Sequence, residues 1–432
     1  MTSRRTESKL AAALVTAAAG FATLCSGGIH LERLVRVRIR ILLLALALVV
    51  PAAACGPPAW LVGADDLAQL LGSGSRFGPL AMAADPAAPS APSGLLLVGL
   101  RRVPEGGASQ LFAVRCDPEG EGRILGRRLL GELEADVEVA ALRVAGGEGG
   151  FAVAVHLERE AGEKVEVRYR ILSAAGEPRG GWKTLMAFPP AVTELAVSDL
   201  HLLWHGGRFV LVYRADFIDE EAGLRSVLAM GALDGEDNPP VLLEGFQGVG
   251  VWRIDSAAAS PDHLAVVRSS QVGDQFSVGL TAYDAAGARL GWSVTLYEAR
   301  YHMAAYQIWE QETGSWLLLW GAGHRYWFHR VPFGEAGFYH GEAEPREIRF
   351  PEAVLTWRVA GDGFRVVLQG ARRLVSLDID AEGSPSESMR ELVGREISLA
   401  RRLHVPAAVW IGDRLATLLL SEERYAYRLL EP

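Results

Sequence analysis

The residues best equipped for recognition chemistry crowd between positions 316 and 340. There Trp316, Trp320, Tyr326, Trp327, Phe328, Phe333, Phe338 and Tyr339 alternate with His324, His329 and His340. Aromatic rings that reach solvent can stack on sugar rings or fill a partner's pocket. Trp316, Trp320, Tyr326, Trp327, His324 and His329 are therefore the candidate binding residues, because Arg325, Trp327 and Arg330 cannot all point into a core. Packing between repeated sheets would use the same rings, and both readings stand. Asp378-Ile-Asp380-Ala-Glu382-Gly383 opens like a calcium loop, but its twelfth position is Met389 and the ninth position of the shorter form is Ser386. A hairpin turn accounts for that segment and for Asp234-Gly-Glu236-Asp237-Asn238, so no metal site is expected. The chain has no Gly-x-Ser-x-Gly elbow, no His-Glu-x-x-His and no Gly-x-x-x-x-Gly-Lys. Cys116 reads as a strand residue in a core, no carboxylate pair can be singled out, and no cofactor is implied.

One thiol stands apart. Residues 33–55 run from a basic stretch, Arg33-Leu-Val-Arg36-Val-Arg38-Ile-Arg40, through the uncharged Ile41 to Val50, to Pro51-Ala52-Ala53-Ala54-Cys55. A basic start, a short apolar run and a small-residue cleavage site are the three parts of an export signal, and the apolar run is short for a membrane span. The Ala52-Ala53-Ala54-Cys55 end resembles the lipobox of bacterial lipoproteins, with Ala52 where the usual pattern prefers Leu. The resemblance implies that Cys55 becomes the acylated first residue of the mature protein, anchored by several acyl chains. Gly56, rather than Asp, after it implies sorting to the outer membrane. Upstream, Leu10 to Ile29 is uncharged but weakly hydrophobic. A translation start at Val35 or Val37 would leave an ordinary short signal, and residues 1–34 are expected to be absent from the translated protein.

Charge separates the same regions. Residues 1–55 hold seven basic and two acidic side chains, so residues 56–432 carry a net −14 of the chain's −9. A body this acidic repels phosphate backbones, which argues against nucleic-acid binding. Only three lysines, Lys9, Lys164 and Lys183, stand among 43 basic residues. Such a bias, with abundant Ala and Gly, matches a GC-rich genome more than an arginine-driven function. Three cysteines without metal spacing neither staple the fold nor bind zinc.

The elements that must position any site are strands. Residues 56–93 are rich in Ala, Pro, Gly and Ser, as in a flexible tether, and they could contribute a closing strand. From Gly94 onward short β-branched and aromatic runs are parted by Gly, Asp and Pro. Lys164-Val-Glu-Val-Arg-Tyr-Arg-Ile171 alternates with period two. Two units recur. In the first, a strand ending near Trp makes a Gly turn into another strand, as in Trp204 to Phe209, Trp309 to Trp316, Trp357 to Phe364 and Trp410 to Leu415. In the second, a strand runs into a turn such as Ser173-Ala-Ala-Gly176, Asp284-Ala-Ala-Gly287 or Asp380-Ala-Glu-Gly383, sometimes followed by Gly-Trp, as at Gly181-Trp182 and Gly291-Trp292. Strands before these turns fall near 110–116, 164–172, 226–233, 275–283, 325–332, 373–379 and 424–430.

Seven units of about fifty residues have the size of propeller blades. The chain therefore resembles the β-propellers in general, without matching one propeller family, and six or eight blades stay open. The organisation expected is all-β: an N-terminal extension and signal over 1–55, with a helical signal segment, a tether over 56–93 and a propeller over 94–432. The functional expectation is a lipid-anchored, exported envelope protein that binds or scaffolds an envelope protein or glycan without catalysis. The alternative is an envelope polysaccharide hydrolase or lyase acting in the propeller funnel. An assembly factor for outer-membrane proteins would also suit the anchor and fold, although the repeat residues do not match the known example.

Overall fold

A computed structural model describes residues 77–84, 94–101, 108–117, 124–134, 136–159, 166–189, 192–234, 239–247, 252–272, 275–299, 305–311, 314–322, 324–339, 345–360, 363–380, 382–393, 404–421 and 424–432. Cys55, the signal, and the tether up to residue 76 lie outside the described residues. Among those described there is no helix, and thus none long and apolar enough to cross a membrane.

The strands form successive antiparallel meanders. The first holds β1 (Phe77–Ala84), β2 (Leu95–Arg101), β3 (Ser109–Cys116) and β4 (Ile124–Leu133). The second holds β5 (Val137–Gly147), β6 (Gly150–Arg159), β7 (Glu166–Ser173) and β8 (Lys183–Thr184). The third is β9 (Thr193–His205), β10 (Arg208–Asp219), β11 (Gly223–Ala232) and β12 (Val241–Gln247). The fourth is β13 (Trp252–Ala259), β14 (His263–Val272), β15 (Gln275–Asp284) and β16 (Arg289–Ala299). In the fifth, β17 (Ala305–Gln311), β18 (Ser315–Ala322) and β19 (Arg325–Gly334) are followed by β20 (Gly337–Phe338) and β21 (Arg346–Arg349). The sixth comprises β22 (Ala353–Ala360), β23 (Gly363–Gln369), β24 (Leu374–Ile379) and β25 (Pro385–Val393). The last has three described strands, β26 (His404–Ile411), β27 (Arg414–Ser421) and β28 (Arg424–Leu430). Phe77–Ala84, within the segment expected to be a tether, thus supplies the first strand of the first sheet.

The seven strands expected before the turns are the third strands: β3, β7, β11, β15, β19, β24 and β28. Their turns work as the side chains suggest. Asp284 Oδ1 accepts the N–H groups of Ala286 (2.9 Å) and Ala288 (2.8 Å), while Asp380 Oδ1 accepts that of Ser384 (2.6 Å). Asp378, the first residue of the calcium-like segment, instead holds Arg365 at 2.6 and 3.0 Å.

Second strands are apolar almost throughout, as in Leu95-Leu-Leu-Val98 and Trp316-Leu-Leu-Leu-Trp320, because sheets cover both of their faces. A strand buried on both sides reads as a continuous hydrophobic run. Leu96, Val98 and Leu111 meet Phe151, Val153 and Val155 of the second sheet, and Ala154 and Tyr169 meet Leu211 and Tyr213 of the third. Val210 and Val212 meet Trp252 and Val266; Val267 and Leu280 meet Trp316 and Trp320; Leu317 and Leu319 meet Trp357 and Leu368. Leu374 and Val393 pack on Val405 and Leu419 of the last sheet. Its other side, Ala416, Leu418 and Tyr427, returns to Leu95, Leu97 and Cys116 of the first. The cores close in a circle, and the protein is a β-propeller. First strands lie innermost, with β1 against β5, β5 against β9, β9 against β13 and β26 back against β1. Closure uses packing without strand exchange among the described residues, plus a hydrogen bond from Tyr427 Oη to the Asp117 carbonyl (2.9 Å).

Candidate functional site

The aromatic group singled out from sequence divides between core and surface. Trp316, Trp320 and Tyr326 are 0%, 1% and 4% exposed and cannot form a binding surface. The reason is the two-sided burial of β18: Trp316, Leu318 and Trp320 face the fourth sheet, whereas Leu317 and Leu319 face the sixth. Alternation therefore sorts these residues between two cores rather than between core and water. Trp327 is half-buried, stacked on Trp320 with centroids 6.4 Å apart and capped by the Arg325 guanidinium at 4.9 Å. His329 is half-buried and tilted against Trp320 at 6.4 Å. His324 alone of the six is exposed, with Nδ1 3.1 Å from the Phe350 carbonyl. Trp316, Trp320, Tyr326 and Trp327 pack sheets together.

A denser polar constellation occupies the inner strands of the second, third and fourth sheets. The first strands β1, β5, β9, β13, β22 and β26 each break register once or more, the signature of a β-bulge, which re-aims side chains. On β9, Asp199 and Leu200 together oppose Tyr213, and Asp199 takes φ 53°; on β13 the extra residue is Asp255. Two carboxylates thus stand on bulges of neighbouring inner strands.

Each of them is engaged. Asp199 Oδ2 accepts the Ile254 N–H (3.1 Å), and Arg253 Nε donates to Asp255 Oδ1 (2.7 Å), whose side chain is 1% exposed. Burial pushes the Asp199 carboxyl up, against the Ile254 hydrogen bond and the charges of Arg214 and Arg253. Burial, aided by the Arg143 charge, brings the His201 imidazole down to about 4. Arg143 itself donates from Nε to the Leu200 carbonyl (2.7 Å) and from Nη1 to that of Leu142 (3.0 Å). Behind them Arg214 grips both oxygens of Asp216 (3.0 and 2.9 Å) and lies 5.2 Å from the Trp252 ring, donating to the Trp252 carbonyl. Ser226 Oγ donates to Asp216 Oδ1 (2.5 Å) and accepts from Trp252 Nε1 (2.9 Å). Such a network rivets the second, third and fourth sheets together. Its only sequence trace is polar side chains inside apolar strands, Ser198-Asp199-Leu-His201 and Arg253-Ile-Asp255.

Among the described residues, the most exposed large apolar side chain lies elsewhere. Trp292 is 84% exposed and Tyr339 54% exposed. On β16, Leu290 opposes Ala282 and Val294 opposes Leu280, so Gly291, Trp292 and Ser293 bulge out opposite Thr281 alone. Arg289 Nη2 donates to Ser293 Oγ (3.0 Å) across the base of this bulge, and Ser293 Oγ meets Thr281 Oγ1 at 2.6 Å. Gly291 pairs in parallel with Phe338 of β20, one residue before Trp292 and one before Tyr339. The approach demands glycine twice. A Cβ on Gly291 (φ 67°) would meet the Ala336 carbonyl at 2.0 Å, and one on Gly337 (φ 91°) that of Leu290 at 2.2 Å. The other Gly-Trp pair behaves differently: Trp182 is half-buried, its Nε1 donating to the Leu130 carbonyl of the first sheet (3.0 Å).

No family model matches the chain, and no curated protein matches it. Among solved structures, a chain from a structural and mechanistic analysis of two prolyl endopeptidases is similar at 14% identity and TM-score 0.49, over 87% of this chain and 49% of that one. The β-propeller domain of the Trilobed protease from Pyrococcus furiosus, described as having an open velcro topology, is similar at 10% identity and TM-score 0.46, over 83% and 93%. The WD40 domain of SCAP from fission yeast is similar at 9% identity and TM-score 0.41, over 82% of each. The chain spans about half the length of the first of these.

Proposed function

We propose that this chain is a seven-bladed binding propeller, exported and held in the bacterial outer membrane through an acylated Cys55. Seven successive meanders, the fourth and fifth joined through β16 and β20 into one nine-stranded sheet, support the blade number, and the signal ending at Cys55 supports the anchor. One observation carries the choice of binding over chemistry: Asp199, Arg143 and Arg214 are taken up in hydrogen bonds between neighbouring sheets, while Trp292, 84% exposed, is held out in water. Aromatic side chains fixed in solvent are the usual anchors of recognition.

Anchoring is tested by growing cells with a labelled fatty acid. The full chain is expected to take label and sediment with membranes, and Cys55→Ser to lose both; label retained in that variant overturns the anchor. The competing reading, an envelope polysaccharide hydrolase, is favoured by the placement of Asp199 and Asp255 on neighbouring bulges. Incubation of the protein with envelope polysaccharide separates the two, since only the hydrolase liberates reducing ends.

A further inference from the structure

We propose that Trp292 and Tyr339 form a platform for the pyranose rings of an envelope polysaccharide, an assignment that rests on the binding reading above. The face of an indole is electron-rich and apolar at once. A pyranose offers such a face its axial C–H groups and turns its hydroxyls outward, where a guanidinium, hydroxyl or carboxylate can bind them. The rim of the bulge supplies those groups: Arg289 and Glu335 are exposed, and Ser293 is half-buried.

Three observations support this occupant. Trp292 is not left over from packing, because the same Gly-Trp unit at Trp182 is folded back under the Arg170 guanidinium, 5.9 Å away, and sealed against the first sheet. Its carrier is rigid: the bulge is laced by Arg289, Ser293 and Thr281 and pinned by the reciprocal approach of Gly291 and Gly337, and the Tyr339 ring lies over Gly334. Preorganisation of this kind lowers the entropy lost on binding. Finally, polar side chains border the bulge, Arg289, Ser293 and Glu335 among them, whereas a protein-docking hot spot sits inside a wider apolar core. Two aromatic faces within a polar rim suit a sugar better than a protein.

The test uses the full-length protein in detergent and three probes: β-1,4-linked hexasaccharides of glucose and of N-acetylglucosamine, and an α-linked mannose hexasaccharide. Acrylamide quenching is the readout, because solvent-exposed Trp292 is the ring a bound sugar would shield. At least one probe should protect saturably. Trp292→Ala should remove the protected signal and weaken binding, followed by calorimetry, about tenfold or more, and Trp292→Phe should restore part of it. Unchanged circular dichroism and thermal midpoint in these surface variants would show that the fold is intact. No protection by any probe overturns the glycan assignment, and so does protection that persists in Trp292→Ala. Capture of an envelope protein that is lost in Trp292→Ala would then keep the binding reading while ending the glycan one. Absence of any sugar binding and any capture ends both.

Discussion

His201 and Asp199 lie two residues apart on one inner strand and respond to pH in opposite senses. The imidazole falls from its ordinary 6.5 to about 4 in the fold, chiefly through burial, so folding favours the neutral ring. That contribution is complete above about pH 6.5, and it is lost as the pH falls toward 4, amounting to roughly 3 kcal/mol at most. Asp199 is raised, so its contribution is present at low pH and disappears as the pH climbs through its elevated value. The thermal midpoint of the protein should therefore drop on acidification between pH 6.5 and 4. His201→Gln should flatten that drop, and Asp199→Asn should steepen it by removing the opposing carboxyl. Equal slopes in all three proteins would show that these groups do not govern acid sensitivity. Sequence offered little warning of this pair, because a polar residue in a strand can equally be surface or bulge.

At the scale of the element, the bulge of β16 and the two-residue strand β20 act as one joint. Gly291 is bound to its place by both backbone conformation and space, as a Cβ there would sit 2.0 Å from a carbonyl oxygen. Gly291→Ala should push β16 away from β20 and cost about 1–3 kcal/mol, within the usual range for strained glycine positions. Acrylamide access to Trp292 and thermal unfolding would both report it. A variant with wild-type stability and quenching would mean that the joint gives way freely. The strands themselves were largely legible. The third strands stand where the Asp/Ser-to-Gly turns put them, since turn chemistry acts within a few residues of sequence. The bulges were not, because a bulge is a mismatch with a partner strand that local sequence does not contain.

For the whole molecule, the ring closes where the last sheet meets the first. No described strand crosses that join, and it is held by a core around Cys116 and by the Tyr427–Asp117 hydrogen bond. Burial pushes the Cys116 thiol up to about 12, which leaves almost no thiolate at neutral pH. In a Cys25→Ser/Cys55→Ser protein, where Cys116 is the one remaining thiol, a thiol reagent should therefore react only as the ring opens. Tyr427→Phe, at a cost of about 1 kcal/mol, should bring that reaction to lower denaturant. Reaction as fast as that of an exposed thiol in native buffer, before any denaturant is added, would contradict the closed seam.

Sequence alone determined the repeat: turn residues and apolar runs act over short distances, and the third strands were readable without a partner in view. It also showed that Trp316 to Trp320 is a continuous apolar run and left open whether its rings pack between sheets or reach solvent. Only the tertiary structure decided that, because whether an alternating strand faces solvent or a second sheet depends on what stacks against it. The same holds for Trp182 and Trp292, which share a Gly-Trp pair after a turn and differ in fate, where the neighbouring sheet covers one ring and leaves the other exposed.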